Sequence, residues 1–562
     1  MTEPVTGAEW LARTIAENHV SHVFWVDAVL RRTLVELGTL GVTRVLAHTE
    51  KAAAYMADGY ARITGRPGLC FAQSVGAANL AAGLQDAYLG RAPVIALTGR
   101  KIPSHQHRNA YQEVDHRPLF AAVTKFSAPV EAAVDLPRLF RHAWRTSMAG
   151  TPRPVHLDLN GRTAEIVETT MVSEPTGRDA PFDEAMPPYR PEPSPSHVER
   201  AVAALHATKR VAIVAGTGAA TSGCGAELLE LAELLAAPLG TSLGARGIVP
   251  TRHRLSIGTV GDYGAPPANR VVHAAELVFF VGCHTGDQVT HTWRIPAIDT
   301  PIVQIDIDAE EFGRSYPNTL GLMGDPKATL THLVKALGRP KRDNAFAEHA
   351  AALMTQWRAD QAKLMRSAEV PIRPDRLCAE LSEALPHEAI LVADTGYSGI
   401  WTATLVDLDG KGHTYLRAAG SLGWGFPAAL GAKCAAPKRK VVCFCGDGAL
   451  YYHLTELETA RRRGIAVAVV VNNNSGFGQG WPNLLKVQGN KLGDPAELLR
   501  FGNTDFAAIA RSFGLQGFRV ERPDEIAPAL RRAIAADETV IVDVVTSIEA
   551  RAPEPWLPGA GI

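Results

Sequence analysis

The sequence predicts an α/β protein of three domains, each a parallel sheet flanked by helices. Eight short runs rich in Val, Ile, Leu and Phe are apolar without alternating: PVIALTG (93–99), VAIVAG (211–216), LVFFVG (277–282), PIVQIDID (301–308), AILVADTG (389–396), RKVVCFCGDG (439–448), IAVAVVVNNN (465–474) and TVIVDVVT (539–546). A strand covered on both faces needs apolar side chains in both directions, as in a parallel sheet between helix layers. Stretches of helical period separate these runs, the order expected of βα units. The length, 562 residues, exceeds what one core holds; at about 150 residues per domain, three or four domains are expected.

Two boundaries divide the chain. Residues 173–197 hold seven prolines and few aliphatic side chains, the composition of an extended linker. Near 338–373 a charged helical stretch (344–368) is followed by PIRPDR. The expected domains are 1–172, 198–338 and 373–549, with a tail at 550–562. GLQDAYLGRAPVIALTG in the first and ELETARRRGIAVAVVVNN in the third both read helix, turn, strand, an echo that hints at related domains.

Composition narrows the class. Hydrophobic residues make up 46% and charged residues 20%, ordinary for a globular protein. A net charge of −1 gives no global field for nucleic acid or an anionic membrane. The seven cysteines are scattered without a CxxC, so neither a disulfide framework nor a zinc site is expected, and a cytoplasmic location is the natural reading. Cys443 and Cys445 read as small core residues. The N-terminus lacks an apolar stretch behind a basic start, so no signal peptide is expected. No apolar run approaches the ~20 residues that span a bilayer.

The most informative stretch is Gly446-Asp447-Gly448, after a strand-like run and before a helical one. A second run then ends in Asn473-Asn474-Ser475-Gly476. A diphosphate needs exposed backbone N–H groups and a helix N-terminus, with glycine allowing close approach. Its counter-cation is hard and takes oxygen ligands. Asp447 offers a carboxylate, Asn474 an amide oxygen and Gly476 a carbonyl; two diphosphate oxygens and a water would complete an octahedron. Both loops would lie at the carboxyl ends of neighbouring strands, where α/β sheets bind ligands. A lone GDG is common at turns; strand, GDG, helix, strand, NN is much rarer.

On these residues the chain resembles the thiamine-diphosphate enzyme superfamily over nearly its whole length. The domain order is that of the acetolactate-synthase-like group, which also holds oxalyl-CoA decarboxylase, 2-hydroxyacyl-CoA lyase and benzaldehyde lyase. The resemblance implies a pyrimidine-binding first domain, a nucleotide-binding-like central domain and a diphosphate-binding third domain. The implied cofactors are thiamine diphosphate and Mg²⁺, the metal held by Asp447, Asn474 and Gly476. Asn472 leaves the register open by one; 473/474 fits the family pattern without a gap. Gly446, Gly448, Ala449 and Phe477 flank these ligands.

HTEKAAAYMADGYARITGRPG (48–68) is similar to the family's helix bearing the cofactor-activating glutamate, here Glu50. Its carboxyl would bond the pyrimidine N1′ and favour the tautomer that takes the C2 proton. GSLGWGFPAALGAK (420–433) matches the segment that bends the cofactor, with Leu422 as wedge and the Gly420 carbonyl as acceptor. Tyr397 and Ser398 stand where the diphosphate is contacted, although acetolactate synthases have Gln and His there. In SHQHRNAYQEVDH (104–116), Tyr111 and Gln112 are the implied substrate-facing pair, and Gln479 approaches C2 from the metal loop. His105 and His107 read as a solvated loop. The loop after the first strand ends in the apolar Val29 and Leu30, at a place that faces C2 in the group. GQGW lacks the basic residue of acetolactate synthases. In the central domain, Asp306 or Asp308 could meet the ribose of ADP or FAD, or the domain could be purely structural.

The leading expectation is a lyase or carboligase of the 2-hydroxyacyl-CoA lyase and oxalyl-CoA decarboxylase kind, acting on a 2-oxo acid, aldehyde or acyl-CoA. An acetolactate synthase acting on pyruvate is the alternative. Intact Glu50, Asp447 and Asn474 argue against a third reading, a catalytically silent cofactor-binding protein. The resemblance also implies sites shared between subunits, hence a homodimer at minimum and a homotetramer by analogy. The tail, with Trp556 and Leu557, is expected either to pack on the third domain or to fold over the site.

Overall fold

The computed structural model describes residues 4–176, 185–339, 343–409 and 412–559. Three six-stranded sheets organise it, and every pairing within them is parallel. The first contains His22–Trp25, Thr43–Leu46, Gly68–Ala72, Val94–Arg100, Phe126–Val130 and Val155–Asn160. The second contains Val211–Ala215, Leu239–Thr241, Ser256–Thr259, Leu277–Val281, Ile302–Asp306 and Thr319–Met323. The third contains Ile390–Ala393, Thr414–Arg417, Val441–Gly446, Ala468–Asn473, Gln516–Val520 and Val540–Val545.

Counted in chain order within each sheet, the first and third sheets share the spatial order 2-1-3-4-6-5, and the second runs 3-2-1-4-5-6. The shared order gives structural content to the sequence echo between the outer domains. The non-alternating runs are strands because helices cover both their faces. Val211–Ala215, Leu277–Val281 and Ile390–Ala393 are buried at every position.

The helix Glu50–Thr64 of the first domain packs along Gly425–Ala435 of the third. The approach requires glycine. A Cβ on Gly59 would lie 2.1 Å from the Ala428 carbonyl oxygen, and one on Gly431 would lie 1.9 Å from that of Met56. The charged stretch after the central domain is the helix Ala345–Leu364. Pro195 opens the helix Pro195–Ala207 instead of belonging to the linker; its missing N–H costs nothing in a first turn. Pro181 and residues 560–562 of the tail lie outside the described residues. All seven cysteines are buried and unpaired. Among the described residues no helix is long and apolar enough to cross a membrane.

Candidate active site

In the third sheet the connections diverge between Ile390–Ala393 and Val441–Gly446, which are spatial neighbours. The loops leaving the carboxyl ends of two such strands run in opposite directions and leave a crevice. A cavity of about 530 Å³ opens there. Tyr397, Ser398, Gly420, Leu422, Gly446, Asp447, Gly448, Ala449, Asn474, Gly476, Phe477 and Gln479 all line it, and the central domain contributes Tyr263. Thus every third-domain residue singled out in the sequence faces one space.

Asp447 opens the short helix Asp447–Tyr451 behind an extended Gly446. Its Oδ1 accepts from the Gly448 N–H at 2.8 Å and its Oδ2 from the Gly476 N–H at 2.9 Å, so one carboxylate ties both loops together. Burial pushes its pKa up to about 6 against the pull of these N–H bonds.

The three consecutive asparagines have different surroundings. Asn472 Oδ1 accepts from Thr546 Oγ1 at 2.7 Å. Asn473 donates to Asp543 Oδ1 at 2.8 Å and to the Thr504 carbonyl at 3.0 Å, while its Oδ1 accepts from the Ser475 N–H. Asn474 Oδ1 is buried with no hydrogen-bond partner. A buried acceptor left unmade costs about 1–3 kcal/mol. One anionic carboxylate and an orphaned amide oxygen suit a hard cation. The Gly476 carbonyl accepts from the Gly478 N–H at 3.1 Å and keeps a second lone pair. The residues present therefore fit Mg²⁺ beside a diphosphate.

Two carboxylates not singled out in the sequence hold the Leu422 segment. Asp394, at the end of its strand, accepts from the N–H groups of Thr395 (2.9 Å), Gly423 (3.1 Å) and Gly425 (2.6 Å). Burial raises its pKa to about 6. Asp86, from the first-domain helix Gly76–Gly90, accepts from the N–H groups of Ala419 and Ser421. A carboxylate on a helix or at a strand end carries no local signature. Only its position one residue past a switch-point strand could have marked Asp394.

The first-domain candidates lie outside this cavity, at the carboxyl ends of the first sheet. Glu50 begins its helix behind the N-cap Thr49, and its Oε2 accepts from Asn79 Nδ2 at 3.1 Å. Gln112 Oε1 accepts from Arg162 Nη1 at 2.8 Å, and its carbonyl accepts from Ser74 Oγ at 2.5 Å. The Ser74 carbonyl in turn meets His116 Nε2 at 2.9 Å, and His116 Nδ1 meets Asp158 at 3.0 Å. Tyr111 is 74% exposed in the single chain. The loop after the first strand ends in Val29 and Leu30. Both side chains are fully buried in the first-domain core, because the chain turns inward there to cover the sheet. His105 and His107 are exposed.

In the central domain Asp306 is buried, which raises its pKa to about 6, and it lines a small cleft with Arg91, Gly218 and Gly282. Asp308 caps the turn Ala309–Glu311. The tail begins on the third domain and continues onto the central one. Ala552 packs into the third-domain core, but Trp556 docks on the central-domain helix Pro266–His273, with its ring 5.4 Å from His273 and its carbonyl accepting from Asn269.

Family models for the thiamine pyrophosphate enzymes match in three places: the N-terminal TPP binding domain at 5–119, the central domain at 198–333 and the C-terminal TPP binding domain at 394–544. A probable acetolactate synthase large subunit of Methanococcus aeolicus is 30% identical, over 96% of this chain and 92% of that protein. One of Methanocaldococcus jannaschii is 31% identical, over 92% and 88%. The acetolactate synthase large subunit of Corynebacterium glutamicum is 30% identical, over 98% and 88%. These names agree with the acetolactate-synthase alternative and give no support to the 2-hydroxyacyl-CoA lyase expectation. That expectation rested on the apolar substrate loop, TKFSAP (124–129) and the aromatic tail, short stretches that carry less information than similarity along the whole chain. The chain belongs to the thiamine-pyrophosphate enzymes of the acetolactate-synthase-like group, and is a thiamine-diphosphate-dependent enzyme of carbon–carbon bond chemistry.

Proposed function

We propose that the chain decarboxylates a small 2-oxo acid such as pyruvate and joins the remaining acyl unit to a second carbonyl compound, the acetolactate-synthase type of reaction. The observation that carries this reading is about 30% identity along nearly the full chain to proteins of that name, with the oxygen donors around Asp447 intact.

When bound, thiamine diphosphate supplies a carbon centre that adds to carbonyls and accepts the electron pair released as CO₂ leaves. The protein's part is binding, orientation and proton handling. Asp447, Asn474 Oδ1 and the Gly476 carbonyl would hold Mg²⁺. The N–H groups at Gly448 and Ala449 open a helix toward the diphosphate. Leu422, whose segment Asp86 and Asp394 fix, would pack against the cofactor. Glu50 holds the proton at the pyrimidine ring, and Gln479 and Tyr397 stand at the mouth.

Glu50, Tyr111 and Gln112 lie outside the cavity lined by the third domain, which favours a site completed by the first domain of a second subunit. Among the described residues the cavity lining has one carboxylate and no basic side chain. A substrate carboxylate then needs its counter-charge from that opposing surface, where Arg162 holds Gln112. We therefore take a homodimer as the minimum unit and a homotetramer as the assembly. The domain division 1–172, 198–338 and 373–549 and a cytoplasmic location complete the proposal. ADP or FAD on the central domain would approach the cleft where all three domains meet, beside Arg91, Thr217, His284 and Arg417.

The test is incubation with thiamine diphosphate, Mg²⁺ and pyruvate, with 2-hydroxyacyl-CoA in a parallel reaction. Acetolactate and CO₂ from pyruvate support the reading. Turnover of 2-hydroxyacyl-CoA with no product from any 2-oxo acid overturns it.

A further inference from the structure

A second cavity, of about 280 Å³, lies where the central domain, the helix Ala345–Leu364 and the third-domain helix Tyr397–Leu405 meet. Its charge is lopsided. Arg246, Arg252, Arg358 and Arg366 line it, with Asp407 as the one carboxylate. Asp407 is already paired with Arg252 at 2.6 Å. Among the described residues no ion pair engages Arg246, Arg358 or Arg366.

Two donors just behind this wall are unsatisfied. Arg246 is 6% exposed, donates to the Val406 carbonyl, and has its Nε buried without a partner. Trp357 Nε1 is likewise buried and unpartnered. Arg358 uses one nitrogen on the Thr251 carbonyl at 2.8 Å. Burial of a guanidinium without a carboxylate is costly, and Asp407 and Tyr415 offset it only at a distance. Met354 and Met365 supply an adaptable apolar side to the same space.

We propose that this cavity binds a small organic oxyanion, a carboxylate or phosphate ester with an apolar body. The oxyanion would take a hydrogen bond from Arg358 at the cavity wall and, with a small shift of the side chains behind it, from Arg246 Nε and Trp357 Nε1, and its body would lie against the two methionines. Arginine forks match the planar or tetrahedral oxygens of such groups. The volume holds a molecule of roughly ten non-hydrogen atoms, given the ~30 Å³ that one water occupies in the liquid. The site is separate from the Asp447 cavity and does not depend on which substrate that cavity takes. The competing view is that Arg246 merely caps the helix Tyr397–Leu405 through Val406.

The test uses holoenzyme saturated with thiamine diphosphate and Mg²⁺, so that the Asp447 cavity is filled. Phenyl phosphate and benzoate are titrated by calorimetry, with benzyl alcohol as the neutral control. Saturable binding of at least one anion and none of the alcohol is expected, and the preferred anion identifies the head group. Trp357→Phe and Arg358→Gln should each weaken binding about tenfold, the share of one charge-assisted hydrogen bond. Arg246→Met should abolish it; if that variant does not fold, the other two decide. Neither anion binding, or both anions binding unchanged in Trp357→Phe and Arg358→Gln, overturns the proposal.

Discussion

Gly76→Ala isolates the position of Glu50 without touching it. A Cβ at residue 76 would lie 2.3 Å from Glu50 Oε1 and 2.9 Å from its Cδ. Ordinary contact requires the carboxyl to retreat by about 1 Å or more. The 3.1 Å bond from Asn79 to Oε2 would then fall outside hydrogen-bond range. Stability should barely change. Gly76 begins the helix Gly76–Gly90, where alanine is favoured by up to about 1 kcal/mol, and Glu50 is only half-buried. Proton handling should suffer, because a displacement of about 1 Å can cost ~10²-fold in rate. The assay is hydrogen–deuterium exchange at C2 of bound thiamine diphosphate, followed by NMR, alongside urea unfolding. Glu50→Gln, which keeps cofactor binding and loses most of the exchange, sets the floor. Wild-type exchange in a folded Gly76→Ala protein would refute the role assigned to Glu50.

Other predictions test the surrounding framework. Mixing inactive Glu50→Gln and Asp447→Ala subunits should restore part of the activity through hybrid sites; no recovery despite demonstrated subunit exchange would count against a shared site. Asp394→Asn replaces one of two accepting oxygens with a donor facing backbone N–H groups. It should cost about 1–3 kcal/mol in urea unfolding and weaken cofactor binding, and wild-type values for both would remove Asp394 from the account. His156 is fully buried, stacked on Phe120 and bonded to Thr98 and Ser127; burial lowers its pKa to about 3. Its folded value lies below the unfolded one near 6.5, so its contribution is complete above pH 6.5 and is lost as pH falls toward 3. Between pH 6 and 4, His156→Gln should flatten the stability–pH curve by about 1.4 kcal/mol per pH unit, and an unchanged slope would mean that the ring protonates in place.

Much of the architecture is legible because both-face burial leaves a strong compositional mark. Each of the eight apolar runs became a strand within a residue or three of its limits. GDG and the asparagine run are legible because metal and diphosphate chemistry restricts residue type and spacing together. The choice among Asn472, Asn473 and Asn474 depends on which side chain finds a protein partner, and only the three-dimensional arrangement shows that Asn474 Oδ1 finds none. Asp86 and Asp394 were invisible for a related reason. Both act on backbone N–H groups distant in the chain, Asp86 on Ala419 and Ser421 and Asp394 on Gly423 and Gly425. Val29 and Leu30 are legible as apolar at the end of their loop, and that character places both in the first-domain core. Trp556 needed a surface, and nothing local to the tail said that the central domain would provide it.

The central claim is that the Asp447 cavity holds thiamine diphosphate through a divalent cation. It is tested most directly by titrating the cofactor into metal-free protein with and without Mg²⁺, in the wild type, Asp447→Ala and Asn474→Ala. The account predicts tight, Mg²⁺-dependent binding by the wild type and loss of that dependence in both variants. Equal wild-type affinity in the presence of a chelator, or full Mg²⁺-dependent binding by Asp447→Ala, would contradict it.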